Sequence, residues 1–168
     1  RYALDNGAWS AYTRGRPFDE PAFVRALRKL GSASDWTVIP DVVAGGQASL
    51  DFSLRWMRAV LDESPRALLA VQDGMNVADV RHFIGERVGI FVGGSTAWKL
   101  ATLHQWGALA AETGAWCHVG RVNTARRISA CETAGAHSFD GTSASRYAVT
   151  LPALDRARRQ LALPWRHS

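Results

Sequence analysis

Six short apolar segments recur along the chain, and most are followed by a segment with the periodicity of an amphipathic helix. Their nearly continuous apolar character is typical of strands buried on both faces of a parallel sheet. They lie at residues 2–4, 36–39, 67–71, 89–92, 117–119 and 137–139. Strand–helix alternation of this kind predicts an α/β fold with right-handed crossovers between parallel strands.

The helical segments carry residues that start and stop helices. The predicted N-terminal caps are Asp19, Ser49 or Asp51, Asn76, Ser95 and Asn123. Gly135 stands where a helix over residues 125–134 would end, and a last helix is predicted over residues 152–161.

Two architectures accommodate this alternation: a (β/α)8 TIM-type barrel and an open, doubly wound sheet. A full barrel needs about 250 residues, whereas this chain has 168. We expect six units of a barrel that lacks its first two β/α units, and we expect that residues precede Arg1 in the full protein. The boundaries predicted are one domain over residues 1–163 and a C-terminal tail over 164–168.

The charge balance is basic, with a formal net charge of +5 and a pI near 9.9. Such a balance suits a nucleic-acid partner, although a solvated basic surface is an equal alternative. Cys117 and Cys131 form neither a disulfide framework nor the CxxC spacing of a zinc site, which predicts a reducing cytoplasm and no metal. No apolar run approaches the roughly 20 residues of a membrane span.

Polar residues or glycines follow the apolar segments directly. They are Asp5, Asp41, Gln72, the pair Gly93-Gly94, Gly120 and Asp140. One aspartate after a strand is typical of a helix cap or turn, but strand carboxyl ends meet at one rim of a parallel barrel, where its chemistry lies. The recurrence therefore predicts one pocket that contains three carboxylates.

A pocket of this composition suits displacement at an anomeric carbon. Neighbouring carboxylates push their pKa values apart, so that one stays ionised as a nucleophile while another handles protons. Glycines let a flat ligand approach the backbone. Trp9 is predicted either to stack on a heterocycle or to belong to the core, and His118 and His137 are expected in the core or in turns.

The ordered motifs resemble the tRNA-guanine (queuine/archaeosine) transglycosylase superfamily, including its small phage and bacterial members proposed to insert deazaguanines into DNA. The clearest match is to the family's "G-V-G-T/S-P-E-D, helix, G-V-D-M-F-D-C-V-x-P-T-R" segment. It resembles residues 120–123, the predicted helix after them, the run Gly-Ala-His-Ser-Phe-Asp from Gly135 to Asp140, and Arg146. Asp5 to Trp9 is similar to "D-[ST]-G-G-[FY]-Q". The resemblance covers residues 2–146.

The resemblance implies a role for each matching residue. Asp140 would be the covalent nucleophile, Asp5 the general acid or base, and Trp9 the aromatic that stacks on the exchanged base. Asp41, Gln72 and the Gly93-Gly94 turn would read that base, Gly120 would help form the pocket, and Arg146 would contact a phosphate. The implied enzyme is a pentosyltransferase that exchanges guanine for a 7-deazaguanine such as preQ0, without a cofactor.

The zinc site of the tRNA enzymes is missing, because no CxCxxC stretch occurs. This departure favours DNA over tRNA as the nucleic-acid partner. Arg121, Arg126 and Arg127 are candidate phosphate contacts, although Arg126 and Arg127 also fit a solvated helix face. An N-glycoside hydrolase on the same fold and a non-catalytic nucleic-acid-binding subunit remain alternatives, and a homodimer or a partner chain could close the barrel.

Overall fold

The structure, a computed structural model, describes residues 2–141. Within them the strands are β1 (Ala3–Leu4), β2 (Trp36–Val38), β3 (Ala67–Val71), β4 (Val88–Val92), β5 (Cys117–Val119) and β6 (Ser138–Phe139). The helices are α1 (Ala8–Thr13), α2 (Glu20–Leu30), α3 (Gln47–Glu63), α4 (Val77–Val80), α5 (Thr96–Thr113) and α6 (Ala125–Thr133), with 3-10 turns at Gly31–Ala33 and Arg81–Phe83. The predicted helix over 152–161, Arg146, the domain end at 163 and the tail over 164–168 lie outside the described residues.

The strands form one parallel sheet whose order follows the chain, β1-β2-β3-β4-β5-β6. A doubly wound sheet reverses its strand order at a switch point. Across the described strands no reversal occurs, and the sheet curls into a half-barrel. The predicted α/β class is therefore confirmed, and the doubly wound alternative is wrong.

The two faces of the sheet differ because successive side chains point to opposite faces of each strand. The helix-covered face packs into one core with helices α2 to α6. Its buried strand residues are Ala67, Leu69, Val71, Val88, Ile90, Val92, Cys117 and Val119. The concave face instead presents Val38, Ala70 and Phe91 to a cavity. The helices thus support the sheet from one side and leave the other side available to a ligand.

Three predicted helix caps are confirmed. Asp19 accepts a hydrogen bond from Ala22 N at 3.0 Å. Asn76 forms a reciprocal capping box with Asp79, and the side chain of Ser95 accepts from Trp98 N. Gly135 follows α6 with a φ of +75°, as a glycine after a helix often does.

Other local predictions are wrong. Thr124, not Asn123, caps α6, because it is the residue in extended conformation whose hydroxyl accepts from Arg127 N at 3.3 Å. Helix α3 begins at Gln47, before Ser49, and the Ser49 hydroxyl accepts from Val42 N at 3.0 Å. That bond holds the loop between β2 and α3 rather than the helix end. Among residues 2–141, no helix has the length and apolar character required to cross a membrane.

Candidate functional site

A cavity of about 760 Å³ opens at the carboxyl ends of the strands. Its wall includes residues that follow every strand of the sheet, because parallel strands direct their carboxyl ends to one edge. The predicted site residues along it are Asp5, Trp9, Asp41, Gln72, Gly93, Gly94, Gly120 and Asp140. All predicted site residues within the described part of the chain therefore line one cavity, and Arg146 lies outside that part.

Asn6 joins the ends of the first two strands. Its side-chain amide donates to Ile39 O and to Asp41 Oδ1, both at 2.8 Å, and its Oδ1 accepts from Ala8 N at 2.8 Å. The residue is 7% exposed, so its hydrogen bonds are made in a largely water-free place. Sequence reasoning missed Asn6, since an asparagine before a glycine is an ordinary turn signal.

The environment of Asp41 disfavours its charged form. Burial raises the pKa of Asp41, the hydrogen bond from Asn6 opposes this rise, and the negative charge of Asp5 adds to it. A carboxyl group in such surroundings retains its proton to higher pH than an exposed one. Asp41 is therefore suited to hydrogen-bond a polar ligand in the cavity.

Gln72 is 3% exposed and anchors a loop at the cavity wall. Its Oε1 accepts from Gly45 N at 3.2 Å, and its Nε2 donates to Val42 O at 3.0 Å. These bonds fix residues 42–45 against the end of β3. The base contact predicted for Gln72 stays a prediction, and the structure adds this loop-holding role.

The turn after β4 is held by a carboxylate from the neighbouring strand. Asp73 accepts from Ser95 N at 2.6 Å and from the Ser95 hydroxyl at 2.5 Å. Burial raises the pKa of Asp73, but the bonds from Ser95 outweigh it and the net shift is downward. Gly94 has a φ of +70°, and a Cβ there would lie 2.5 Å from Asp73 Oδ2. Only glycine fits this position, and its backbone is exposed to the cavity.

Asp140 presents an ionised carboxylate at the end of β6. Its Oδ1 accepts from Arg121 N at 2.8 Å, and its Oδ2 lies 3.2 Å from His118 Nε2. Burial raises the pKa of Asp140, but the hydrogen bonds from His118 and from Arg121 N outweigh burial and hold the pKa below its usual value. The side chain is 54% exposed. A charged, accessible carboxylate of this kind is equipped to act as a nucleophile.

His118 is buried, as expected, but it also contacts the predicted nucleophile. The signal for this contact lies in the register between two strands, since His118 pairs with Ser138 and Asp140 follows two residues later on the same face. His137 serves the structure instead: its ring stacks on Trp116 and its Nδ1 accepts from Cys117 N.

Trp9 lies on α1 with 45% of its surface exposed, which contradicts the core alternative. The Arg121 guanidinium lies 4.2 Å from the centre of its indole ring, and the Tyr12 ring lies 5.8 Å away. Arg121 also donates to Gly94 O. This cluster of aromatic and cationic groups lines part of the cavity, and flat rings stack favourably on such groups.

Lys99 of α5 is a second charged group that sequence reasoning missed. It is 6% exposed and its ammonium donates to Gly120 O beside the cavity. Burial, together with the positive charges of Arg121 and Arg127, lowers the pKa of Lys99 to about 8, although Asp140 acts in the opposite direction. Three cationic side chains thus lie close to one another beyond the end of β5.

Neither metal ligands nor reactive thiols are assembled in the described region. Among residues 2–141, no group of three or more His, Cys, Asp or Glu side chains is placed to hold a metal ion. Cys117 and Cys131 are free and buried, and burial raises the pKa of Cys117 to about 12 and that of Cys131 to about 11. Such thiols are poor nucleophiles.

No protein-family model matches the chain, and no curated protein matches it.

Proposed function

We propose that this chain is a barrel-type transglycosylase that exchanges guanine for a 7-deazaguanine in nucleic acid, with DNA favoured over tRNA. The observation that carries the proposal is the ionised, half-exposed Asp140 at the wall of a cavity that also contains Asp5, Asp41 and the exposed ring of Trp9. A cavity of about 760 Å³ is within the usual range for small-molecule sites.

The reaction would proceed by two displacements. An Asp140 oxygen bonds to C1′ of the target nucleotide as the C1′–N9 bond breaks. Guanine leaves with the electron pair and takes a proton from Asp5, which has first been protonated by solvent. The incoming base then gives its N9 proton to Asp5 as its nitrogen bonds to C1′. The ester bond breaks in this step and returns Asp140 as a carboxylate.

The remaining wall would bind the base. Trp9 would stack on its face, and Asp41, with its raised pKa, would hydrogen-bond its polar edge together with the backbone at Gly93 and Gly94. A target nucleotide must leave its stack to reach such a cavity, at a cost of a few kcal/mol. Arg121 N donates to Asp140 and the Arg127 guanidinium donates to Arg121 O, so these two arginines would hold the flanking phosphates.

The barrel assignment rests on the strand order. Six parallel strands in unbroken chain order, curled into a half-barrel, have the winding expected of part of an eight-stranded barrel. The placement of every described site residue at the carboxyl ends of the strands is the usual arrangement of active sites in that fold.

Replacing the nucleophile tests the proposal. D140N removes the charge with little change of shape, so exchange of labelled guanine into single-stranded oligonucleotides should fall on the order of a thousandfold or more. D62N is the matched control, since Asp62 is an exposed residue of α3 paired with Arg58. Near-normal exchange by D140N would show that the nucleophile is assigned wrongly.

Hydrolysis at the same site is a second candidate, which the exposure of Asp140 favours because water can reach the sugar ester. The two reactions differ in their products. With preQ0 supplied, exchange incorporates the deazaguanine, whereas hydrolysis releases guanine without incorporation.

A further inference from the structure

A chain of hydrogen bonds begins at Trp116, the residue before β5, and ends at Asp140. Trp116 Nε1 donates to Ser138 Oγ at 3.0 Å, Ser138 Oγ lies 2.8 Å from His118 Nδ1, and His118 Nε2 lies 3.2 Å from Asp140 Oδ2. The residues come from two paired strands, β5 with the residue before it and β6 with the residue after it. The register between β5 and β6 therefore places these four side chains next to one another.

The direction of this chain follows from its first member. An indole N–H can only donate, so Ser138 Oγ accepts from Trp116 and has its own hydrogen to give to His118 Nδ1. The neutral imidazole then carries its hydrogen on Nε2 and donates it to Asp140. The opposite neutral tautomer would place a nitrogen lone pair against a carboxylate oxygen.

The imidazole has little freedom to leave this position. His118 is 4% exposed, and its ring centre lies 4.8 Å from that of Trp36 and 5.1 Å from that of Phe91. The other carboxylate oxygen of Asp140 is held by Arg121 N. Both oxygens are thus held by donors, while half of the side chain remains open to the cavity.

We propose that His118, oriented by Ser138 and Trp116, is a positioning residue that aims the Asp140 carboxylate at the sugar and stabilises it as the leaving group when the ester breaks. This inference rests on the proposed function, in which Asp140 is first a nucleophile and then a leaving group. A hydrogen-bond donor at Oδ2 orients the carboxylate before the first step and accelerates the second, because in the second step negative charge returns to the departing carboxylate.

The pH dependence of the site provides a signature. The charged or titratable groups that face Asp140 are His118 from β5 and Lys99 from α5, together with the backbone N–H of Arg121. His118 itself is packed against the uncharged rings of Trp36 and Phe91. Loss of the His118 bond should therefore raise the pKa of Asp140 and move the acid limb of the rate profile to higher pH.

Two variants separate the hydrogen bond from the packing. H118F retains an aromatic ring among its neighbours without a donor, and H118Q offers an amide N–H in nearly the same place. We expect H118F to lower kcat about tenfold or more with little effect on KM, and H118Q to restore part of the loss. H104Q, at an exposed position of α5, is the control and should behave as wild type.

A measurement independent of turnover accompanies the rates. Carboxyl 13C NMR, assigned with D140N, should show Asp140 titrating at higher pH in H118F than in wild type, with S138A shifted in the same direction but less. Circular dichroism establishes whether each variant is folded. If H118F is not folded, the titration of Asp140 in S138A tests the role of His118 instead.

The outcomes distinguish this inference from the proposed function. If the titration of Asp140 is unchanged in a folded H118F variant, the role of His118 is overturned. If H118F is unfolded, an unchanged titration in S138A has the same meaning. A shifted titration with an unaltered kcat in an active enzyme would also overturn the role. Absence of base exchange by wild type would instead count against the proposed function, and the NMR titration would still decide whether His118 keeps Asp140 charged.

Discussion

Two carboxyl groups of the same cavity experience opposite environments. Burial, with the negative charge of Asp5, raises the pKa of Asp41, whereas donors from His118 and Arg121 hold the pKa of Asp140 low despite its own burial. Acids whose pKa values are separated in this way can perform different tasks at one pH. The separation supports a nucleophilic role for Asp140 and a ligand-binding role for Asp41.

Asp41 should lower the stability of the protein at neutral pH. A carboxyl whose pKa is raised by folding contributes stability that is present at low pH and is lost as pH rises through its folded-state pKa. D41N removes the charge, so we expect its Tm to exceed that of wild type at pH 7 and the difference to disappear near pH 3. Thermal unfolding across this pH range measures the effect.

The control for this measurement is D62N, because Asp62 is an exposed acid of α3. Its difference from wild type should not show the same growth with pH. A D41N variant that is less stable than wild type by the same amount at every pH would contradict the reasoning about burial.

At the scale of elements, positively charged side chains cluster near the N-terminus of α6. Arg127 lies in its first turn and donates to Arg121 O at 3.5 Å, and both arginines act electrostatically on Lys99. A helix N-terminus also favours anions through its dipole and exposed N–H groups. These features place an anion-friendly end of α6 next to the proposed nucleophile.

R127Q should weaken binding of single-stranded oligonucleotides and make it less sensitive to salt. If Arg127 contacts one phosphate, the slope of log K against log salt should fall by about 0.7 for a single strand. Fluorescence anisotropy over a salt series gives this slope.

R126Q is the matched control, since Arg126 is the exposed neighbour on the same helix. It carries the same charge but does not line the small cavity near Lys99 that Arg127 lines. Equal losses in R126Q and R127Q would indicate a diffuse basic surface rather than a specific contact.

At the scale of the whole molecule, the half-barrel assigns stability to one face and binding to the other. Leu69 is fully buried in the core with the helices, and the next residue, Ala70, lines the cavity. L69A should therefore cost about 2–5 kcal/mol of unfolding free energy and leave guanine binding intact. A70L should keep the unfolding free energy near that of wild type and weaken guanine binding, because its larger side chain enters the cavity.

Urea denaturation and calorimetric titration with guanine, applied to both variants, test this division. Guanine binding by A70L with wild-type affinity would mean that the ligand lies elsewhere. A large loss of stability in A70L would mean that the concave face is packed rather than open.

Much of the fold was predictable because it depends on local chemistry. The apolar run at 67–71 became β3 with the predicted bounds, and Asp19, Asn76 and Ser95 cap helices through neighbours within a few residues. Asn123 and Thr124 are both good caps, and which one begins α6 depends on backbone conformation, which their identities do not determine. The same limit concealed the short helix α1, which carries Trp9.

By itself, the order of residues determined the α/β class and which polar side chains follow the strands, since both depend on periodicity and on position along the chain. Only the tertiary structure decided that Asn6 ties β1 to β2, that Lys99 is buried beside Gly120 and that His118 bonds Asp140. These contacts join residues far apart in the chain, and their existence depends on strand register and sheet curvature. Burial and charge at such contacts, rather than residue type alone, set the chemistry of each acid.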